Sequence, residues 1–447
     1  MKRLLSLDDA INLGRKEMIS LHKEYLNSSL VTLLSLVNLT KKFVKADGMK
    51  VWDSDGVEYL DFLGGFGSLN TGHNHPKIIS AVSKVKEQPN LLQVSLSSLS
   101  GALAYNLAQI TPGKLQRSFF CNSGLEAVEG AMKLARLATG RNKIVSAEKS
   151  YHGTGNGHKT NKKSHSSDSS HFPLGDLECV RRLLKNKDVA AVIVEPVQGE
   201  GGMIVPQEGF LAGVREICDQ YDTLLIFDEI QTGLGRTGKM FACEYEHVEP
   251  DIMCLAKSLG GGIMPIGAYI SVDKVWQKAY GTIEKATLHT STFGGNSIAC
   301  AAAIAAIEVI VDEDLVNNAL EQGDYLLSKL KDLKSNHKFI KEVRGKGLMI
   351  GIEFNQPKGM LNTLSGGRLD KVATKYTGSM FAGELFNKHR IITSYTLNSP
   401  NVIRLEPPLS VSKKEIDYLI DALSDILSKN KGFFSLSLSA GKDSIKK

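Results

Sequence analysis

Lys257 ends a short apolar run, Asp251-Ile-Met-Cys-Leu-Ala-Lys257, and the turn Gly260-Gly-Gly262 follows closely. An apolar setting makes an ammonium costly and lowers the pKa of a lysine. The neutral amine can then attack a carbonyl and form a Schiff base. A second apolar run ends on an acid, Ile226-Phe-Asp228. A Schiff-base lysine with a carboxylate partner for a pyridinium nitrogen is the signature of pyridoxal phosphate (PLP) chemistry. The carboxylate keeps the ring nitrogen protonated, so the ring can accept electrons from a substrate carbanion.

Each residue also has a blander reading. Lys257 alone could be a surface lysine after an edge strand, and Asp228 alone a strand-end acid that caps a turn. Against this, Asp228 is followed by Glu229, Gln231, Thr232, Gly233, Gly235, Arg236, Thr237 and Gly238, a density of polar and flexible residues that suits a site. At Phe120-Cys-Asn-Ser123-Gly124-Leu125-Glu126 a strand runs into a helix. The free N–H groups of a helix start can seat a phosphate, while the rival reading is an ordinary N-cap with Glu three residues on. Tyr151 and His152 follow another apolar run, where an aromatic could stack on a flat ring or simply be a half-buried loop residue. Arg404 lies between apolar neighbours and needs an anion. A substrate carboxylate is one partner, and a structural ion pair with Glu406 or Glu200 is the other. His73 and His75 form an HxH pair without a third ligand at suitable spacing, which predicts a structural turn and no metal site.

The elements that must position these residues alternate. Apolar runs at Ser118–Cys121, Lys143–Ala147, Ala190–Glu195, Thr223–Asp228, Ile252–Ala256 and Gly267–Ser271 read as buried strands. Helical stretches such as Glu126–Ala138 and Gly209–Tyr221 lie between them. The alternation predicts an open, mostly parallel sheet covered on both faces, with ligands outside the carboxyl ends of its strands. Before it, residues 1 to about 45 read as helical, and Val51–Phe62 as a hairpin turning at Asp53-Ser-Asp-Gly56. After it, Ile298–Val311 reads as an alanine-rich helix, followed by strands near Gly347–Phe354 and Asn401–Leu405. The division expected is an N-terminal segment 1–76 joining a small domain, a large domain 77–300, a C-terminal small domain 301–431 and a flexible tail 432–447.

Composition narrows the class. Lys and Arg total 54 against 48 Asp and Glu, a mild excess that does not argue for nucleic acid. The six cysteines are far apart and form no CxxC, which fits a reducing compartment. Asp8 and Asp9 interrupt any signal-peptide core, and Ser29–Leu39 is too short to span a bilayer. A cytoplasmic protein is expected.

From about residue 45 to 428 the chain resembles the class III (ω-type) aminotransferases of PLP fold type I. The resemblance rests on Phe227-Asp-Glu-Ile-Gln-Thr-Gly-Leu-Gly-Arg-Thr-Gly238, Ala256-Lys-Ser-Leu-Gly-Gly-Gly262, Thr292-Phe-Gly-Gly-Asn296 and Val194-Glu-Pro-Val-Gln-Gly-Glu-Gly-Gly202. Within the class it is most similar to putrescine (diamine) aminotransferases, on segments that include Met264-Pro-Ile-Gly-Ala268 and Arg404-Leu-Glu-Pro-Pro-Leu409. The resemblance implies an α/β fold. A large domain holds a mostly parallel central sheet, and a small α+β domain is built from both chain ends.

The resemblance also implies roles. Lys257 forms the Schiff base and moves the proton, and Asp228 pairs with the pyridinium. Gln231 hydrogen-bonds the ring hydroxyl, Tyr151 stacks on the ring with His152 beside it, and Ser123, Gly124 and the Leu125 amide hold the phosphate. Thr292 reaches the phosphate of the neighbouring subunit in a homodimer with shared sites, with higher oligomers open. Arg404 binds the carboxylate of 2-oxoglutarate, and Glu200 is the gate that pairs with Arg404 when the donor has none. Two positions depart from the family. Leu125 stands where Thr is usual. Thr154–Ser170 is polar where the family is longer and more apolar, leaving open a remodelled loop, a disordered insertion or a damaged segment. The expected activity moves the terminal amino group of a diamine to 2-oxoglutarate. The alternatives are another ω-aminotransferase (N-acetylornithine, ornithine, 4-aminobutyrate or a biosynthetic aldehyde) and a non-catalytic PLP-fold scaffold.

Overall fold

The structure is a computed structural model that describes residues 4–36, 38–92, 94–154, 169–355, 368–430 and residue 436. Most of the Thr154–Ser170 segment, and all of the proposed tail but residue 436, lie outside the described residues. No helix among the described residues is long and apolar enough to cross a membrane.

The centre is a seven-stranded sheet. In spatial order its strands are Leu115–Cys121, Gly267–Val272, Ile252–Leu255, Leu224–Asp228, Val189–Val194, Lys143–Ala147 and Ser169–Phe172. Only Gly267–Val272 runs antiparallel to its neighbours. The expectation of a mostly parallel sheet holds, and the apolar runs mark six of its seven strands to within a few residues, Ser169–Phe172 being the one they miss. All six residues of Val189–Val194 are buried. Val192 and Val194 join one hydrophobic cluster, while Ala191 and Ile193 join the other, so the period-2 alternation sends side chains into cores on opposite faces. A sheet covered on both faces has no solvent side to show a polar stripe.

Two smaller sheets flank this one. In the first, Phe43–Asp47, Lys50–Asp53 and Glu58–Asp61 form an antiparallel meander, and Ile391–Ile392 pairs parallel to its last strand. The Leu60 and Phe62 amides donate to Arg390 O and Ile392 O at 2.9 Å each. The second joins Ile340–Lys346, Met349–Phe354, Val402–Leu405 and Ser394–Tyr395, all antiparallel. The helical N-terminal region is three short helices, Leu7–Asn12, Arg15–Tyr25 and Ser28–Leu36.

Arg236 locks these units together. It is fully buried and donates to Leu348 O at 3.0 Å, Pro407 O at 2.6 Å and Asn70 Oδ1 at 2.7 Å. Burial lowers its pKa to about 10, against the opposing charges of Glu406 and Asp61. At that value the guanidinium still carries its charge at neutral pH. Arg236→Ala strands three buried acceptors and should cost about 3 kcal/mol or more of unfolding free energy, read as a fall in the urea midpoint.

Candidate active site

Five parallel strands deliver their carboxyl ends to one place. Ser123 follows Leu115–Cys121, Tyr151 and His152 follow Lys143–Ala147, Glu195 follows Val189–Val194, Asp228 ends its strand, and Lys257 follows Ile252–Leu255. All six, with Gly124, Leu125 and Gln231, line a cavity of about 480 Å³. That size suits a small cofactor with a substrate.

Lys257 has φ 47°, a left-handed conformation that costs a lysine energy and needs surrounding structure to hold it. The preceding strand and a short 3₁₀ turn over Lys257–Gly260 supply that hold. Gly261 completes the turn at φ 59°, and a Cβ there would sit 2.5 Å from Ile78 Cδ1. Burial pushes the Lys257 amine below the usual lysine range, with Glu406, Glu200 and Asp228 opposing and Arg404 reinforcing the shift.

Asp228 is fixed from both sides. Its Oδ2 takes a hydrogen bond from His152 Nδ1 at 2.7 Å, and its Oδ1 accepts the Ile230 amide at 3.1 Å. His152 is buried, which favours its neutral form. The hydrogen bond and charge of Asp228, with the charge of Glu195, outweigh that and raise its pKa. His152 therefore lies behind the acid and orients it.

Glu195 was visible in the sequence only as a strand-end residue. Its two oxygens accept the Tyr151 amide at 2.8 Å and the Gly199 amide at 3.0 Å. Burial raises its pKa to about 7, with Asp228 adding to the shift and His152 and the two amides opposing it. Gln231 donates to Glu406 Oε1 at 2.8 Å.

Ser123 caps the helix Gly124–Thr139, its Oγ accepting the Glu126 amide at 3.2 Å. The Glu126 carboxylate reaches back to the Asn122 amide at 3.0 Å. The ordinary cap is therefore present. It leaves the amides of Gly124 and Leu125, at the first two helical positions, without intrahelical acceptors beside the cavity. The Leu125 side chain packs against Gly153, where a Cβ would lie 2.7 Å from Leu125 Cδ1. An orphaned helix end, a carboxylate on a buried histidine and a lysine with a depressed pKa fit the phosphate, ring nitrogen and aldehyde of PLP respectively.

Arg404 is fully buried on its strand and sits between two carboxylates. Nη2 donates to Glu200 at 2.5 Å and Nη1 to Glu406 at 3.3 Å. Both partners weighed from sequence are thus engaged. Thr292 lies apart, exposed, in a groove with Phe119 and Ser291. His73 and His75 diverge, to Asp61 at 2.8 Å and Glu313 at 3.1 Å.

The family model described as Aminotransferase class-III matches residues 37–427. The chain belongs to the class III aminotransferases. It is 37% identical over 462 residues to aminotransferase PigE of Serratia sp. (strain ATCC 39006), covering 94% of this chain and 54% of that protein. The chain thus spans about half the length of that relative. An ornithine aminotransferase structure from Toxoplasma gondii, with partial occupancy of PLP at its active site, superposes with a TM-score of 0.80 at 28% identity over 98% of both chains. The acetylornithine aminotransferase of Elizabethkingia anophelis gives 0.77 at 28%, over 94% of this chain and 100% of its own. The fold is PLP fold type I, and the cofactor of this class III aminotransferase is pyridoxal phosphate.

The protonation of Glu195 should be visible in stability. Its folded pKa is raised, so its contribution is present at low pH and lost as pH rises from 4.5 toward about 7. Wild type should therefore lose thermal midpoint relative to Glu195→Gln across that window. Parallel curves would show that Glu195 does not titrate there.

Proposed function

We propose that this class III aminotransferase takes a terminal amino group from a diamine, putrescine first, and passes it to 2-oxoglutarate. The products are glutamate and 4-aminobutanal, which cyclises with loss of water to 1-pyrroline. The observation that carries this reading is the buried Arg404 with Glu200 and Glu406 against it. Paired in this way, the arginine does not repel the free ammonium of a diamine, while release of Glu200 uncovers a cation for the oxo acid.

PLP, when bound, supplies the electron sink that makes the substrate Cα–H acidic. The chain's own residues do the rest. Lys257, held toward its neutral form, is the nucleophile and carries the proton from substrate Cα. Asp228, oriented by His152, sets the charge at the ring nitrogen. Tyr151 would stack on the ring and Gln231 would hydrogen-bond its hydroxyl. Ser123 and the amides of Gly124 and Leu125 hold the phosphate, and the backbone amide serves where Leu125 lacks a hydroxyl. Thr292 of a partner subunit completes that seat in a cytoplasmic homodimer. The chain divides into a large unit, 77–300, and a small one built from 1–76 and 301–431.

A second reading is favoured by the likeness to ornithine and acetylornithine aminotransferases, whose donors carry a carboxylate. Visible absorption of the PLP-loaded protein separates the two. Loss of the band with putrescine alone, and its return with 2-oxoglutarate, supports the diamine. A band that responds only to ornithine or N-acetylornithine overturns it. Lys257→Ala should lose turnover by more than about a thousandfold, and retained transamination would sink the role. Arg404→Ala should raise the KM for 2-oxoglutarate by roughly tenfold or more while changing the diamine half-reaction less. Equal losses in both halves would remove its assignment.

A further inference from the structure

The two carboxylates on Arg404 are not equivalent. Glu200 also accepts the amide of Leu397 at 2.8 Å, and Leu397 lies on an exposed loop with 59% of its surface open. Glu406 is fully buried and pinned through both backbone and side chain. Its amide donates to Phe62 O at 2.7 Å. Its carbonyl abuts Gly64, where a Cβ would come within 2.2 Å, and φ is 55°. Its Oε1 takes the Gln231 amide and is walled by Gly67, where a Cβ would lie 2.9 Å away. Glu200 is also held through its backbone, its carbonyl accepting the Asn398 amide at 3.0 Å, and its bond to Arg404 is the shorter of the two. What sets it apart is that the other partner of its carboxylate sits on the exposed Leu397 loop, so its side chain is the one with room to swing away while that of Glu406 stays.

The arginine's nitrogens divide accordingly. Nη1 is committed to Glu406 and Nη2 to Glu200, and the buried Nε has no hydrogen-bond partner among the described residues. A planar carboxylate takes two parallel bonds from one edge of a guanidinium. The Nε/Nη2 edge becomes available when Glu200 withdraws. Even then Glu406 still counters the charge from the other side. The face of Phe66 lies 5.1 Å from the Arg404 guanidinium carbon and helps keep it in place.

We propose that Glu406 is a specificity-determining residue, which keeps Arg404 permanently countered and so tilts the site toward donors with a cationic far end. With Glu200 in place, two carboxylates share one guanidinium and the surplus is negative, which favours an ammonium. With Glu200 withdrawn, the oxo acid meets an arginine of reduced pull. This rests on the diamine reading for its physiological sense, but the charge balance stands on the geometry alone.

The test compares wild-type holoenzyme with Glu406→Gln, which keeps the shape and removes the charge. Calorimetry with glutarate, an unreactive dicarboxylate, should show about tenfold tighter binding to the variant. The kcat/KM for 4-aminobutyrate should rise, and that for putrescine should fall, each by roughly tenfold. Such opposite movements cannot come from general damage to the fold. Losses in the same direction for both donors, with glutarate unchanged, would overturn the proposal. If Glu406→Gln does not fold, Glu406→Asp retracts the charge from Arg404 and should give the same signs at smaller size. The opposite signs there would count equally against it. Wild type that ignores putrescine ends the diamine reading, while the glutarate comparison still decides the role of Glu406.

Discussion

An amine that burial holds toward its neutral form sits among carboxylates, and the fold must keep these groups distinct. Each acid here already has partners of its own. Asp228 has His152 and the Ile230 amide, Glu195 has two backbone amides, and Glu200 and Glu406 share Arg404. No acid is left to capture Lys257 as a simple ion pair, which would raise its pKa and end its nucleophilicity. Burial is the largest influence on Lys257, and the charge of Glu406 is the strongest that opposes it.

That arrangement depends on parallel strands. Their carboxyl ends point one way, so residues far apart in sequence arrive at a single rim without long loops. The rim holds chemistry while the strands behind it supply only packing. Val189–Val194 illustrates this division: six buried aliphatic residues are followed at once by Glu195 and, five positions later, by Glu200. Burying each Val or Ile contributes roughly 1.5–3 kcal/mol, which offsets the cost of placing acids at the strand's edge.

Much of this was legible in the sequence. Apolar runs located the central strands, and Lys257, Asp228 and the Ser123 helix start were visible as a set. Other features carry no local signal. The antiparallel sense of Gly267–Val272 is hidden because a doubly buried strand reads alike in both directions. Ser169–Phe172 escaped because Ser-Ser-His-Phe lacks an apolar run, and Ile391–Ile392 is too short to show a period. Glu406 was weighed only as a rival partner for Arg404. Its tie to Gln231 joins residues 175 positions apart, a distance over which no spacing rule operates. Glu195 was noted as a strand end, but its role as a double amide acceptor follows from tertiary structure alone.

The parallel pairing of Ile391–Ile392 with Glu58–Asp61 has a further consequence for how the chain reaches this state. The meander is synthesised before its partner strand, and its last strand then offers the amides of Leu60 and Phe62 as an open edge. The strand that covers it emerges only after the whole central sheet has been made. The connection is of high contact order, so its closure comes late and slowly. Until then the meander carries an adhesive rim, the kind of surface on which partly made chains associate wrongly. This late pairing is thus also the seal that covers the open edge of the meander.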